Sequence, residues 1–113
     1  MNGIRGAIAT VENTENDILK STKELFNTIV ENNNLDISKI VSVIFTVTND
    51  LDAAFPAKAL RELGHHQLSA LDTKAPNVVN DLEGCIRVLV TYKDEIEVTH
   101  TYLGEAKNLR PDR

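Results

Sequence analysis

The residues of this chain best suited to chemistry are its arginines, above all Arg87. It lies in the middle of the segment 85–92, which is apolar on both faces. A guanidinium stays protonated in proteins, and burying it without an anion is costly. Arg5 has a similar setting among small and apolar residues. Each arginine therefore either pairs with an internal carboxylate or binds an anionic ligand, and the repeated pattern favours a site for a small polyanion.

Composition narrows the class of ligand. The chain has 113 residues and a net charge of −5, with no cluster of lysines and arginines. These features fit one domain and argue against a nucleic-acid partner. The positive charge of the arginines must then form a local site on an acidic protein. The sequence has no apolar stretch long enough for a membrane span and no positively charged leader before an apolar core. We therefore expect no membrane partner and a cytoplasmic location.

The cysteine and the histidines do not point to a nucleophile or a metal. Cys85 is the only cysteine and begins an apolar strand, which predicts an inert, buried thiol. His65 and His66 are adjacent, with His100 as a conceivable third ligand. Adjacent side chains on an extended chain point to opposite faces, so they rarely bind one ion together. We expect no metal site.

Hydrophobic periodicity predicts the elements that must position the arginines. A helix should begin after Thr14, a hydroxyl cap followed three residues later by Asp17, and end at 32–34. A second helix should span 56–63, with Asp50 and Asp52 capping its start. The predicted strands are 3–11, 41–48, 67–71, 85–92 and 97–103, with 72–81 as a loop. This order predicts an α+β domain over 1–113, with a single mixed β-sheet and helices packed on one face.

Four blocks of the sequence carry a resemblance to a known family. They are Ile4-Arg5-Gly6-Ala7 with Thr10-Val11-Glu12, the run 52–63 (DAAFPAKALREL), Cys85-Ile86-Arg87-Val88, and His100-Thr101-Tyr102-Leu103 with Leu109-Arg110-Pro111-Asp112. In this order and at these spacings, the blocks resemble the trimeric α/β chorismate mutases of the AroH type. The resemblance implies a homotrimer whose sheets form a pseudo-α/β-barrel, with active sites between neighbouring subunits.

The reaction that the resemblance implies is the pericyclic (Claisen) rearrangement of chorismate to prephenate, in aromatic amino acid biosynthesis. It proceeds without a covalent intermediate, a metal or a cofactor. An enzyme for this step must hold the reactive diaxial conformer of the substrate. It must also stabilise the charge that develops on the breaking ether oxygen. Fixed arginines suit both tasks.

The resemblance also implies roles for individual residues. Arg87 would hydrogen-bond the ether oxygen and a carboxylate, while Arg5 and Tyr102 would hold a carboxylate from the same subunit. The other substrate-binding positions that it implies are Phe55, Ala57, Lys58 and Arg61 from the neighbouring subunit, Thr73 in place of a family cysteine, and Leu109 and Arg110 on a tail over the entrance.

The stretch 71–82 departs from the family. The family has a glutamate there that accepts the ring hydroxyl of the substrate, whereas this chain is one residue shorter and has Ala75 or Pro76 at that position. The sequence leaves open whether Asp72 or Asp81 supplies a carboxylate instead. Two alternatives therefore stand beside chorismate mutase: an enzyme acting on a related cyclohexadiene carboxylic acid, and a non-catalytic trimer that binds dicarboxylates.

Overall fold

The computed structural model of the chain describes residues 1–109, with side chains described as far as Lys107. Five strands follow one another along the chain: β1 Asn2–Ile8, β2 Ile40–Val47, β3 Ala70–Lys74, β4 Ile86–Tyr92 and β5 Thr101–Leu103. The helices are α1 Glu15–Asn33 and α2 Lys58–Glu62, accompanied by the 3-10 turns Ile37–Lys39 and Gly104–Leu109.

The strands form one mixed sheet in the order β3-β2-β4-β1-β5. Strand β4 pairs antiparallel with β1 and β2, whereas β3 runs parallel to β2 and β5 runs parallel to β1. The predicted single mixed sheet is confirmed. Arg87 lies on the central strand, where backbone hydrogen bonds on both edges fix the base of its side chain.

Helix α1 forms because apolar residues recur at helical spacing between two capped ends. As predicted, Thr14 accepts a hydrogen bond from the Asp17 N–H, at 3.0 Å. At the other end Asn34 adopts the left-handed conformation, with φ 49°. Between these caps, Leu25 and Ile29 are fully buried in the core that α1 shares with the sheet.

The two faces of the sheet differ because side chains alternate along each strand. The face with Ile4, Phe45 and Val88 forms the core beneath both helices, which confirms that they pack on one side. We call the opposite face the open face. Strand register gives it two neighbouring rows: Thr73, Thr46, Arg87, Ala7 and Tyr102, then Leu71, Ile44, Leu89 and Arg5. Leu71 is 68% exposed there, so the protomer leaves apolar surface uncovered.

Strand β3 lies further along the chain than predicted. Residues 72–74 were expected in a loop, but they pair in parallel with the end of β2, with Asp72 opposite Phe45. Asp and Lys are uncommon in strands, so propensity alone predicted a loop and the tertiary pairing overrode it. Strand β5 is shorter than the predicted 97–103. The N–H of Arg5 donates to Nδ1 of His100, at 2.9 Å, and this side-chain acceptor adjoins the start of the β1–β5 backbone pairing.

The start of α2 is supported by a side chain that the sequence did not single out for this role. Asp72 lies on the helix-bearing side of β3 and accepts a hydrogen bond from the Ala57 N–H, at 2.9 Å. The prediction that Asp50 and Asp52 cap this helix was wrong. Asp50 accepts a hydrogen bond from the Gly84 N–H at 2.8 Å, and Asp52 pairs with an asparagine side chain that precedes α1.

Gly84 connects the preceding loop to β4 and is expected to tolerate no side chain. Its φ is +59°, and an added Cβ would lie 2.6 Å from the carbonyl oxygen of Val11. The Val11 N–H donates to the Gly84 carbonyl at 2.9 Å, so the two backbones cannot separate without losing that bond. We expect Gly84→Ala to lower the free energy of unfolding by about 2–4 kcal/mol, because the clash adds to the cost of positive φ.

Urea unfolding followed by circular dichroism measures this effect. Gly64→Ala is the matched control, because Gly64 also has positive φ (+90°) but nothing within 4 Å of an added Cβ. Gly64→Ala should lower the free energy of unfolding by only about 1 kcal/mol. Equal losses in the two variants would contradict the proposed backbone clash.

Candidate active site

A cavity of about 370 Å³ opens on the open face of the sheet. It is lined by Arg5, Arg87 and Tyr102, together with Gly6, Ala7, Ile44, Thr46, Pro76, Val88 and Leu89. We call it the arginine cavity. Strand register explains why Arg87 and Tyr102 lie near each other, because Ala7 is opposite Arg87 on one side and opposite Tyr102 on the other. Arg5, two residues before Ala7, points to the same face.

Two guanidinium groups make the arginine cavity suitable for an anion. Arg87 forms an ion pair with Asp81, at 3.2 Å between Nη2 and Oδ2. Among the residues that the structure describes, Arg5 forms no ion pair. A guanidinium carries several N–H donors in a planar fork, so Arg87 keeps donors for a ligand beyond its bond to Asp81.

Thr46 is a cavity residue that the sequence did not identify. Its Oγ1 is buried and has no hydrogen-bond partner within the described part of the chain. It lies opposite Arg87 across the β2–β4 pairing. The alternation within 41–48 already put Thr46 on the same face as Ile44. Only the strand register, which the sequence does not contain, brings it beside Arg87.

The two acids that the sequence left open have different neighbours. Asp72 points to the helix-bearing side of the sheet, away from the arginine cavity. Burial raises the pKa of its carboxyl, against the lowering effect of the hydrogen bond from Ala57. Asp81 contacts Arg87, but it lines a separate cavity of about 390 Å³ under the loop 76–83, which we call the loop cavity. Within residues 1–107, no carboxylate lines the arginine cavity.

Three of the substrate-binding positions that the resemblance implies lie in another part of the protomer. Phe55, Lys58 and Thr73 line a hollow of about 500 Å³ at the start of α2, which we call the Phe55 hollow. Phe55 is 73% exposed, an unusual state for a large aromatic ring. Nζ of Lys58 lies 3.5 Å from Oε1 of Glu15, at the start of α1. None of these three residues lines the arginine cavity of its own protomer.

The other assigned positions are distributed as follows. Ala57 is buried, and its backbone N–H donates a hydrogen bond to Asp72. Arg61 is exposed near the end of the same helix. Leu109 ends the 3-10 turn Gly104–Leu109, but its side chain lies outside the described part of the chain, as does the whole of Arg110.

The thiol is buried, as predicted. Cys85 is 1% exposed, and burial raises its pKa, with the Arg87 guanidinium only partly opposing this shift. In the described range 1–107, no group of three or more His, Cys, Asp or Glu side chains could hold a metal ion. The described helices also include none with the length and apolar character needed to cross a bilayer.

Comparison with known proteins identifies the family. The family described as chorismate mutase type I matches residues 1–113. The chain is 41% identical to chorismate mutase AroH of Thermus thermophilus over 114 aligned positions, covering 97% of this chain and 93% of the relative. It is 38% identical to chorismate mutase AroH of Bacillus subtilis (strain 168), covering 97% and 90%. A solved chorismate mutase from Clostridium thermocellum matches with a TM-score of 0.93 and 38% identity, over 96% of this chain and 100% of that chain. The chain therefore belongs to the chorismate mutase type I family.

Proposed function

We propose that this chorismate mutase converts chorismate to prephenate in a cleft between two protomers of a homotrimer. The observation that carries the proposal is the arginine cavity, where Arg5, Arg87 and Tyr102 meet on a face that the protomer leaves uncovered. The proposal includes a cytoplasmic location and a role in aromatic amino acid biosynthesis.

The chemistry needs positioning and electrostatic stabilisation rather than a nucleophile. In the rearrangement the ether C–O bond breaks while a C–C bond forms, and negative charge develops on the ether oxygen. Arg87 donates hydrogen bonds at that oxygen, where the charge grows in the transition state. Arg5 and Tyr102 bind a substrate carboxylate and so hold the ring in its reactive conformer. Thr46 adds a buried hydroxyl beside them.

The second wall of the cleft comes from the neighbouring protomer. Leu71, Ile44 and Leu89 form an exposed apolar row beside the arginine cavity, which is a surface suited to subunit contact. In a ring, one patch of each protomer meets a different patch of the next. We assign the Phe55 hollow to that second patch, so that the Phe55 ring covers the substrate.

The remaining assigned residues complete that wall. Lys58 and Arg61 supply positive charge at the mouth of the cleft, and Ala57 and Thr73 shape the wall between them. Leu109, the last residue of the 3-10 turn, and Arg110, the next residue in the sequence, are assigned to the entrance. Neither alternative, a related cyclohexadiene acid as substrate or a non-catalytic dicarboxylate-binding trimer, has an observation in its favour.

Turnover of chorismate by the purified protein tests the proposal. We expect loss of chorismate absorbance, with a product that acid converts to phenylpyruvate, and a particle three times the mass of the 12.5 kDa chain in sedimentation. Chorismate binding by calorimetry without product would favour the non-catalytic trimer. Turnover by a monomer would exclude a cleft between subunits.

A further inference from the structure

We infer that Asp81 is a positioning residue that holds the Arg87 guanidinium from outside the arginine cavity, without touching the substrate. The inference rests on the proposed function, because it concerns the group assigned to the ether oxygen. Asp81 belongs to the stretch 71–82, in which this sequence departs from the family. This chain therefore has its own means of fixing the Arg87 guanidinium.

The ion pair has a defined geometry. Oδ2 of Asp81 lies 3.2 Å from Nη2 of Arg87, and Oδ1 accepts a hydrogen bond from the Leu82 N–H at 2.8 Å. One oxygen is thus anchored to the loop backbone while the other faces the guanidinium. The side chains of Asp81 and Arg87 are only 12% and 33% exposed. Solvent therefore screens this pair less than an ordinary surface ion pair.

The two partners line different cavities. Arg87 lines the arginine cavity, Asp81 lines the loop cavity, and Pro76 lines both. The guanidinium therefore lies at the boundary, with its Nη2 bonded to the carboxylate of the loop. Asp81 can fix Arg87 without occupying the substrate's volume.

The loop that carries Asp81 is itself anchored at both ends. At its start the Ala75 N–H donates to the carbonyl of Val47 at 2.9 Å, and at its end the Gly84 N–H donates to Asp50 at 2.8 Å. A segment without regular structure is thus tied to the end of β2 on one side of Asp81 and to the loop that follows β2 on the other. These ties let a loop carboxylate act as a fixed support for a strand side chain.

Loss of Asp81 should therefore change kcat rather than KM. Without it, the guanidinium can adopt other rotamers and is less often aligned with the ether oxygen in the transition state. Substrate binding should not weaken, because the positive charge of Arg87 is no longer offset by a neighbouring carboxylate. An interaction that acts mainly in the transition state has this kinetic signature.

Three variants of the full-length enzyme test the inference by steady-state kinetics with chorismate. Asp81→Ala should lower kcat by about fivefold or more with KM raised by no more than about twofold. Asp81→Asn keeps an acceptor oxygen for Nη2 and should fall between Asp81→Ala and wild type. Asp50→Asn is the matched control, since it changes an anchor of the same loop that does not contact Arg87, and its kcat should stay within about twofold of wild type.

Three results would overturn the inference. An unchanged kcat in Asp81→Ala would mean that Arg87 needs no such support. A loss confined to a higher KM would place Asp81 against the substrate. An equal loss of kcat in Asp50→Asn would reduce Asp81 to a general anchor of the loop. The proposed function fails separately, either if the wild type does not convert chorismate or if Arg87→Ala remains active.

Discussion

Replacing Arg87 with alanine should lower kcat/KM for chorismate by about a hundredfold or more, because it removes the donors assigned to the developing oxyanion. Initial rates from chorismate absorbance measure the loss. Arg87→Lys keeps the charge but loses the planar fork. Since a point charge cannot bond the ether oxygen and a carboxylate together, this variant should still lose about tenfold or more.

The control for Arg87→Ala is Lys39→Ala, which removes a cation that forms an ion pair outside the arginine cavity. Lys39 pairs with Asp94 at 2.7 Å, and it lines no part of that cavity. Lys39→Ala should keep activity within about twofold of wild type, since exposed ion pairs contribute little. Circular dichroism should show that both variants are folded. If folded Arg87→Ala retained more than about a tenth of the activity, Arg87 would not be the central group at the ether oxygen.

Combining two impaired variants is expected to restore about a third of wild-type activity, because each cleft of the proposed trimer draws on two protomers. The first variant is Arg87→Ala, which damages the arginine cavity. The second is the double variant Phe55→Ala/Lys58→Ala, which damages the Phe55 hollow. In every trimer that contains both chains, one cleft in about three takes an intact half from each parent.

Co-expression of the two chains, followed by purification through a tag on each, gives the mixed trimers for assay. Each variant co-expressed with a differently tagged copy of itself sets the background rate. Mixed trimers that show only this background would place both sets of residues on one protomer, or would exclude the Phe55 hollow from the site. Restoration cannot arise if every active site lies within a single chain.

The sequence predicted strands that line the arginine cavity because their signal is local. The β-branched run of β2 and the apolar segment around Arg87 define strands without any knowledge of their partners. The meeting of Arg5, Arg87 and Tyr102 is different, since it depends on β4 pairing with β1 and on β1 pairing with β5. Periodicity does not contain that strand order, and the expectation that these three residues meet came from the resemblance.

The positions of the Asp72 and Asp81 side chains could not be predicted from the sequence, for a physical reason. A shift of one residue along a strand moves every side chain to the opposite face, and the sequence did not place Asp72 in a strand. The face on which Asp72 lies, and hence the hydrogen bond that it accepts from the Ala57 N–H, depended on pairing with β2. Asp81 reaches Arg87 through the path of an irregular loop, for which no periodic signal exists.

The hydrogen bond from the Arg5 N–H to Nδ1 of His100 requires one particular tautomer of this imidazole at the edge of the sheet. Because Nδ1 accepts, that nitrogen bears no hydrogen, and a neutral imidazole must keep its hydrogen on Nε2. A doubly protonated ring would set N–H against N–H beside β5, the strand that bears Tyr102. The pairing of the first and last strands is thus flanked by an imidazole that must present an unprotonated nitrogen to the backbone of Arg5.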